Sequence, residues 1–195
     1  MQLSASRVLL TGATGGMGRA IVAALCARGA QVLVVGRQDK ALQALVERNP
    51  SQVSCLQADL RQPADRASVL RRAQQTGDIN LLINAAGINH FGLFENMQEQ
   101  AINDLIETNL TATLQLTHGL LPLLRSQPQS CVVNIGSTFG SIGYPGFSVY
   151  CATKFALRGF SEALRRELAD TNVGVLYLAP RATRTEMNNA AVEAM

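Results

Sequence analysis

Arg7-Val8-Leu9-Leu10-Thr11-Gly12-Ala13-Thr14-Gly15-Gly16-Met17-Gly18 is the stretch that decides the fold. Its first five residues read as a short buried strand. The glycine turn comes next, then a helical pattern from Arg19 to Arg28 that Gly29 stops. A second apolar run, Gln31 to Val35, reads as the next strand. Strand, glycine turn, helix, strand is a βαβ unit, and its strands have to be parallel. Glycines in the first turn let backbone N–H groups approach a pyrophosphate at the helix N-terminus. The turn therefore predicts a dinucleotide site built from Gly12, Thr14, Gly15, Gly16, Met17 and Gly18.

Outward from this unit, Gly36 and Arg37 end the second strand, with no carboxylate before Asp39. An acidic residue at this point holds the 2′-hydroxyl of NAD, and an Arg accommodates the 2′-phosphate of NADP. Arg37 thus favours NADP, with NAD as the alternative. Lys40 to Arg48 reads as a helix ended by Asn49-Pro50, and Gln52 to Leu56 as a third strand leading to Asp59-Leu60. Asp59 either accepts a hydrogen bond from an adenine amine, with the Leu60 backbone beside it, or is a loop residue or helix cap. The arginine-rich helix from about Asp65 to Gln75 reads as a solvated outer face.

Ile79 to Ile83 reads as a fourth strand, ended by Asn84-Ala85-Ala86-Gly87. Small residues there leave room for a ligand at the carboxyl end of the sheet. His90 in the next loop reads as incidental. A helical region from about Met97 to Arg125 contains Asn109, which bonds a neighbouring backbone or holds a water, and His118, read as structural. Cys131 to Ile135 is a fifth strand that delivers Ser137 to the same sheet end. Phe91, Phe139, Ile142, Tyr144 and Phe147 suggest an apolar substrate wall, or equally a packed turn. The next helix carries Tyr150 and Lys154, one turn apart and on one face. An ammonium near a phenol favours the phenolate and lowers a pKa of about 10. Tyr150 then exchanges a proton with a carbonyl or alcohol oxygen, and Ser137 holds that oxygen. Val173 to Leu178 is a sixth strand, followed by Pro180-Arg181-Ala182-Thr183-Arg184-Thr185, and Glu186 to Met195 begins another helix.

Composition narrows the classes. The chain has 195 residues, 47% hydrophobic and 16% charged, which suits one domain over residues 1–195 with a sizeable core. A net charge of +3 without a basic block argues against nucleic acid, and no long apolar run predicts a signal peptide or membrane span. Cys26, Cys55, Cys131 and Cys151 form no metal-binding spacing; their apolar neighbours predict reduced thiols and a cytoplasmic location. Of seventeen basic residues only Lys40 and Lys154 are lysines. A compact, rotatable ammonium placed beside Tyr150 in an Arg-preferring chain points to chemistry.

Taken together, Thr11-Gly12-x-x-x-Gly16-x-Gly18, Asn84-Ala85-Ala86-Gly87, Asn109, Ser137 and Tyr150-x-x-x-Lys154 resemble the classical short-chain dehydrogenase/reductase family, from the first strand to about residue 185. The resemblance implies a Rossmann-like α/β fold: a doubly wound parallel sheet with helices on both faces. It implies hydride transfer between a nicotinamide cofactor and a carbonyl or alcohol substrate. Tyr150 would be the acid/base, Ser137 would orient the substrate oxygen, Lys154 would hold the nicotinamide ribose, and Asn109 would hold a water. Cofactor contacts would also come from Asn84, Ala85, Gly87, Pro180, Thr183 and Thr185. Helices carrying Asn109 and Tyr150 would make the contacts of a homodimer or homotetramer.

Two departures stand out. Arg181 occupies the place of the family's glycine after Pro180, so the loop is built differently, strained, or in contact with cofactor, and the contact of Thr185 is weakened as an expectation. The family's substrate lid and a further strand would fall beyond Met195. The pair Gly15-Gly16 also fits the glycine spacing of extended relatives such as epimerases and dehydratases, whose added domain this chain has no room for. The competing functional reading is a cofactor-sensing binding protein on the same fold, without turnover.

Overall fold

A computed structural model of the protein describes residues 2–181. Six strands lie in one parallel sheet: β1 (Arg7–Thr11), β2 (Gln31–Gly36), β3 (Val53–Gln57), β4 (Leu81–Asn84), β5 (Ser130–Ile135) and β6 (Val173–Leu178). Their order is β3-β2-β1-β4-β5-β6. The order reverses between β1 and β4, where Thr11 pairs with Asn84. A crevice for ligands opens at such a reversal, outside the carboxyl ends of the strands.

The inner strands β1, β2 and β4 are apolar on both sides because helices cover both faces. Val8, Leu10, Val32 and Val34 face α1 (Gly16–Cys26) and α2 (Asp39–Arg48). Leu9, Leu33, Leu82 and Val132 face α3 (Pro63–Thr76), α5 (Ala112–Ser126) and α6 (Ser148–Glu167). Leu9 and Leu82 are fully buried, so truncating either to Ala costs about 2–5 kcal/mol. Pro63 starts α3, where its missing N–H is no loss, and Gly77, left-handed at φ 71, ends it.

The structure corrects two sequence expectations. The helix over α3 is not purely solvated: Arg66 is buried, and its guanidinium donates to the Leu60 carbonyl and to Glu107. The region from Met97 to Arg125 is not uniform. It starts as α4 (Glu99–Ile106), widens into a π-helical turn over Glu107–Thr111, and continues as α5. Such single π turns gather at functional positions, and this one carries Asn109. His118 is exposed. Among the described residues, no helix is long and apolar enough to cross a membrane.

Candidate active site

A cavity of about 740 Å³ follows the sheet's carboxyl end, within the range of small-molecule sites. Its floor is the glycine turn. Gly12 has φ 68, and a Cβ there would come within 2.6 Å of the Ala85 carbonyl oxygen; one on Gly18 would come within 2.2 Å of the Gly12 oxygen. Only glycine permits this double approach of turn, helix and β4. Thr11 closes the seam, its hydroxyl accepting from the N–H groups of Ala85 and Ala86 at 3.1 and 3.2 Å.

Gly12, Thr14, Gly15, Gly16, Met17 and Gly18 all line this cavity. So do Arg37, Asp59 and Leu60 at one end, Ala85 and Gly87 in the middle, and Ser137, Tyr150 and Pro180 at the other. Thr183 and Thr185 lie outside the described residues, as does the expected helix from Glu186 to Met195. Asn84, Asn109 and Lys154, expected at cofactor or substrate, stand behind the wall and are 3%, 1% and 5% exposed.

Their partners explain those positions. Asn84 donates to Thr117 Oγ1 at 3.1 Å and to Asn134 Oδ1 at 2.9 Å, so its amide ties strands and helix together rather than facing the cleft. Asn109 accepts from the Ile88 N–H at 2.8 Å and donates to the Ile88 carbonyl at 2.9 Å. Of the two possibilities for its side chain, the structure shows the backbone bond. It fixes the segment after Gly87, a wall of the cavity.

Asp59 is not free for an adenine amine alone. The Arg61 guanidinium grips both its oxygens, the shortest contact being 2.7 Å, and also reaches Asp104 at 2.9 Å. That hydrogen bond is the main reason the Asp59 carboxyl titrates below its usual range. Arg61 also lines the cavity, and its place two residues after Asp59 was the available sequence signal.

At the other end, Ser137 follows β5, and its hydroxyl oxygen accepts from the Phe139 N–H at 3.1 Å. Tyr150 stands in the first turn of α6, ringed by Phe139 and Phe147 at 6.3 and 6.0 Å between centroids. Phe139, Tyr144 and Phe147 line the cavity; Phe91 packs behind Phe147 at 5.1 Å, while Ile142 is 63% exposed and points elsewhere.

The expected tuning of Tyr150 by Lys154 is corrected. Burial pushes the phenol pKa up, and the Ser137 hydrogen bond only partly opposes it. Lys154 Nζ donates to the Ile135 carbonyl at 3.0 Å and lies 5.7 Å from the Tyr150 ring centroid. Desolvation lowers its own pKa to about 8, and for the phenol burial is the largest influence.

Arg181 needs no special backbone: among the described residues no non-glycine has a positive φ. Of the alternatives for this position, strain is ruled out. Arg181 lines the cavity.

A glycine-floored cleft at a sheet reversal, ending at Ser137 and Tyr150, defines a dinucleotide-using α/β protein. Comparison with known proteins takes this further. The family model described as short chain dehydrogenase matches residues 6–195. The 3-oxoacyl-(acyl-carrier-protein) reductase FabG of Escherichia coli (strain K12) is 33% identical over 191 residues, covering 97% of this chain and 78% of the relative. Nodulation protein G of Rhizobium sp. (strain N33) is 32% identical over 189 residues, 96% of this chain and 77% of that one. Among solved structures, a short-chain dehydrogenase from Streptomyces avermitilis superposes with a TM-score of 0.88 at 34% identity, covering 97% of this chain and 75% of that chain. A short-chain dehydrogenase from Sphingobium yanoikuyae in complex with NADPH gives 0.88 at 35%, covering 93% and 73%. The chain belongs to the short-chain dehydrogenase family. It is accordingly an oxidoreductase of carbonyl and alcohol groups.

Proposed function

We propose that this protein is an NADP(H)-dependent reductase of apolar or amphipathic carbonyl compounds, reversible as an alcohol dehydrogenase, with Tyr150 as its general acid/base. The observation that carries the reading is that Ser137 and Tyr150 line one cavity together with the glycine turn.

The residues fit the cofactor. The turn from Gly12 to Gly18 offers backbone to a pyrophosphate, and Arg37 offers a cation to a 2′-phosphate at the end of β2. The similar Sphingobium enzyme was solved with NADPH, which agrees with Arg37. Bound NADPH supplies the hydride. Tyr150, kept protonated by burial, gives its proton to the carbonyl oxygen. Ser137, its oxygen already accepting from Phe139, directs its own proton toward that same oxygen. Lys154, 5.7 Å from the ring centroid, holds the Ile135 carbonyl at the end of the strand that leads to Ser137. Asn109 holds the cavity wall at Ile88. Phe139, Tyr144 and Phe147 keep water from the reacting carbonyl and give an apolar substrate its surface. Ile106 and Phe155, exposed on α4 and α6, support a homodimer or homotetramer, which light scattering checks.

The test follows NADPH absorbance over a panel of aliphatic ketones, ring ketones, 3-oxoacyl esters and 3-oxoacyl thioesters. Turnover of at least one class is expected. NADPH binding without oxidation of any of them would overturn the reductase reading and leave a cofactor-sensing protein.

A further inference from the structure

Tyr177 belongs to β6, beside Asn134 in the register, and no step of the proposed reaction uses it. Its hydroxyl accepts from the Ser137 N–H at 3.4 Å and donates to the Ser137 carbonyl at 3.3 Å. One phenol thus closes on both backbone groups of one residue. Its ring fills a slot that two glycines leave open. A Cβ on Gly136 would fall 2.1 Å from the Tyr177 ring, and one on Gly140 would fall 2.3 Å from its hydroxyl and 2.8 Å from the Lys154 carbonyl oxygen. On the other side, Lys154 Nζ holds the Ile135 carbonyl. The backbone from Ile135 to Ser137 is therefore gripped between an amine from α6 and a phenol from β6. Gly140, wedged between Tyr177 and α6, brings the same phenol against the helix turn that bears Lys154.

We propose that Tyr177 is a positioning residue: it holds the Ser137 loop against α6, so that the Ser137 hydroxyl meets Tyr150 and the substrate oxygen at a fixed separation. This rests on the reading of Ser137 as the group that orients the substrate. Small displacements of such a group are costly, because the reacting atoms must already be aligned when the barrier is crossed.

The experiment begins with the free protein. Tyr177→Phe keeps the ring and removes only the hydroxyl. Hydrogen exchange of the Ser137 amide should quicken by about tenfold or more, with α1 and β1 amides unchanged. With NADPH and the fastest carbonyl substrate of the panel, kcat should fall about tenfold, the size of one neutral hydrogen bond, and KM for NADPH should stay within about twofold. Ser137→Ala should cost much less in the Tyr177→Phe background than in wild type, since a loosened serine has less to lose. Packing supplies an independent arm. Gly136→Ala should lower Tm clearly, and Tyr177→Val should restore most of that loss. An unchanged Ser137 amide, or a full Ser137→Ala penalty beside Tyr177→Phe, would overturn the role of Tyr177 alone. An inert Ser137→Ala would overturn the reading of Ser137 and this inference with it.

Discussion

Lys154 donates to the Ile135 carbonyl at 3.0 Å from a position that is 5% exposed. Burial lowers its pKa to about 8 from an ordinary 10.5. Between those values the unfolded chain binds more protons than the folded one, so stability contributed by this site rises with pH across the window. Below about pH 8 the cost of the buried charge is complete. Denaturant melts of wild type and Lys154→Met from about pH 7 to 10.5 should show wild type gaining on the variant as pH rises. A constant difference would contradict the burial of a charged amine.

Tyr150→Phe keeps the ring and removes only the hydroxyl whose proton the mechanism transfers. The loss in kcat should be about 10²- to 10⁴-fold, with NADPH affinity, read by fluorescence titration, within about twofold of wild type. An undiminished rate would remove Tyr150 from the mechanism.

Arg37 stands where β2 opens into the cleft, its carbonyl held by Gln57 at 3.0 Å. Arg37→Ala should weaken NADPH by about 10- to 100-fold, the range of a charge-assisted hydrogen bond. NADH should scarcely change. Calorimetric titration of both cofactors checks this, and stronger NADH than NADPH binding by wild type would reverse the assigned preference.

Arg181 places a cation in the cleft on ordinary backbone. Arg181→Gly should raise the Kd for NADPH by about two- to fivefold at low ionic strength, because the cofactor is polyanionic and the cation long-ranged there. In high salt the difference should vanish. A salt-independent change would mean a direct contact or a rearranged loop instead.

The fold was legible in the sequence because each signal was local and redundant: a glycine turn between an apolar strand and a helix, then apolar runs at regular intervals. The residues of the turn, Ser137 and Tyr150 reached one cavity as read. What the chain alone did not disclose depended on contacts across elements. Burial of Lys154 follows from α6 packing over β5, so its effect on Tyr150 was overstated. The grip of Arg61 on Asp59 turns on a rotamer and on Asp104 from α4. Arg66 looks like a surface residue until Leu60 and Glu107 are seen to receive it. Tyr177 passed unnoticed inside Val173–Leu178, where an aromatic reads as ordinary strand filling. The paired glycines at 136 and 140 were the clue, and only the β5–β6 register says what fills them.

The amides of Asn84 and Asn134 face each other across β4 and β5 at matching rungs, and Asn134 passes the chain of bonds on to Ser161 at 2.9 Å. Slide either strand by one residue and Asn84 would come opposite Val133 or Ile135, and Asn134 opposite Ile83 or Ala85, with no side chain there to bond. Parallel strands that are apolar on both sides have little else to tell one alignment from another. The asparagines therefore act as an indexing pin, and the alignment they choose sets where the segments bearing Gly87 and Ser137 leave the sheet to line the cleft.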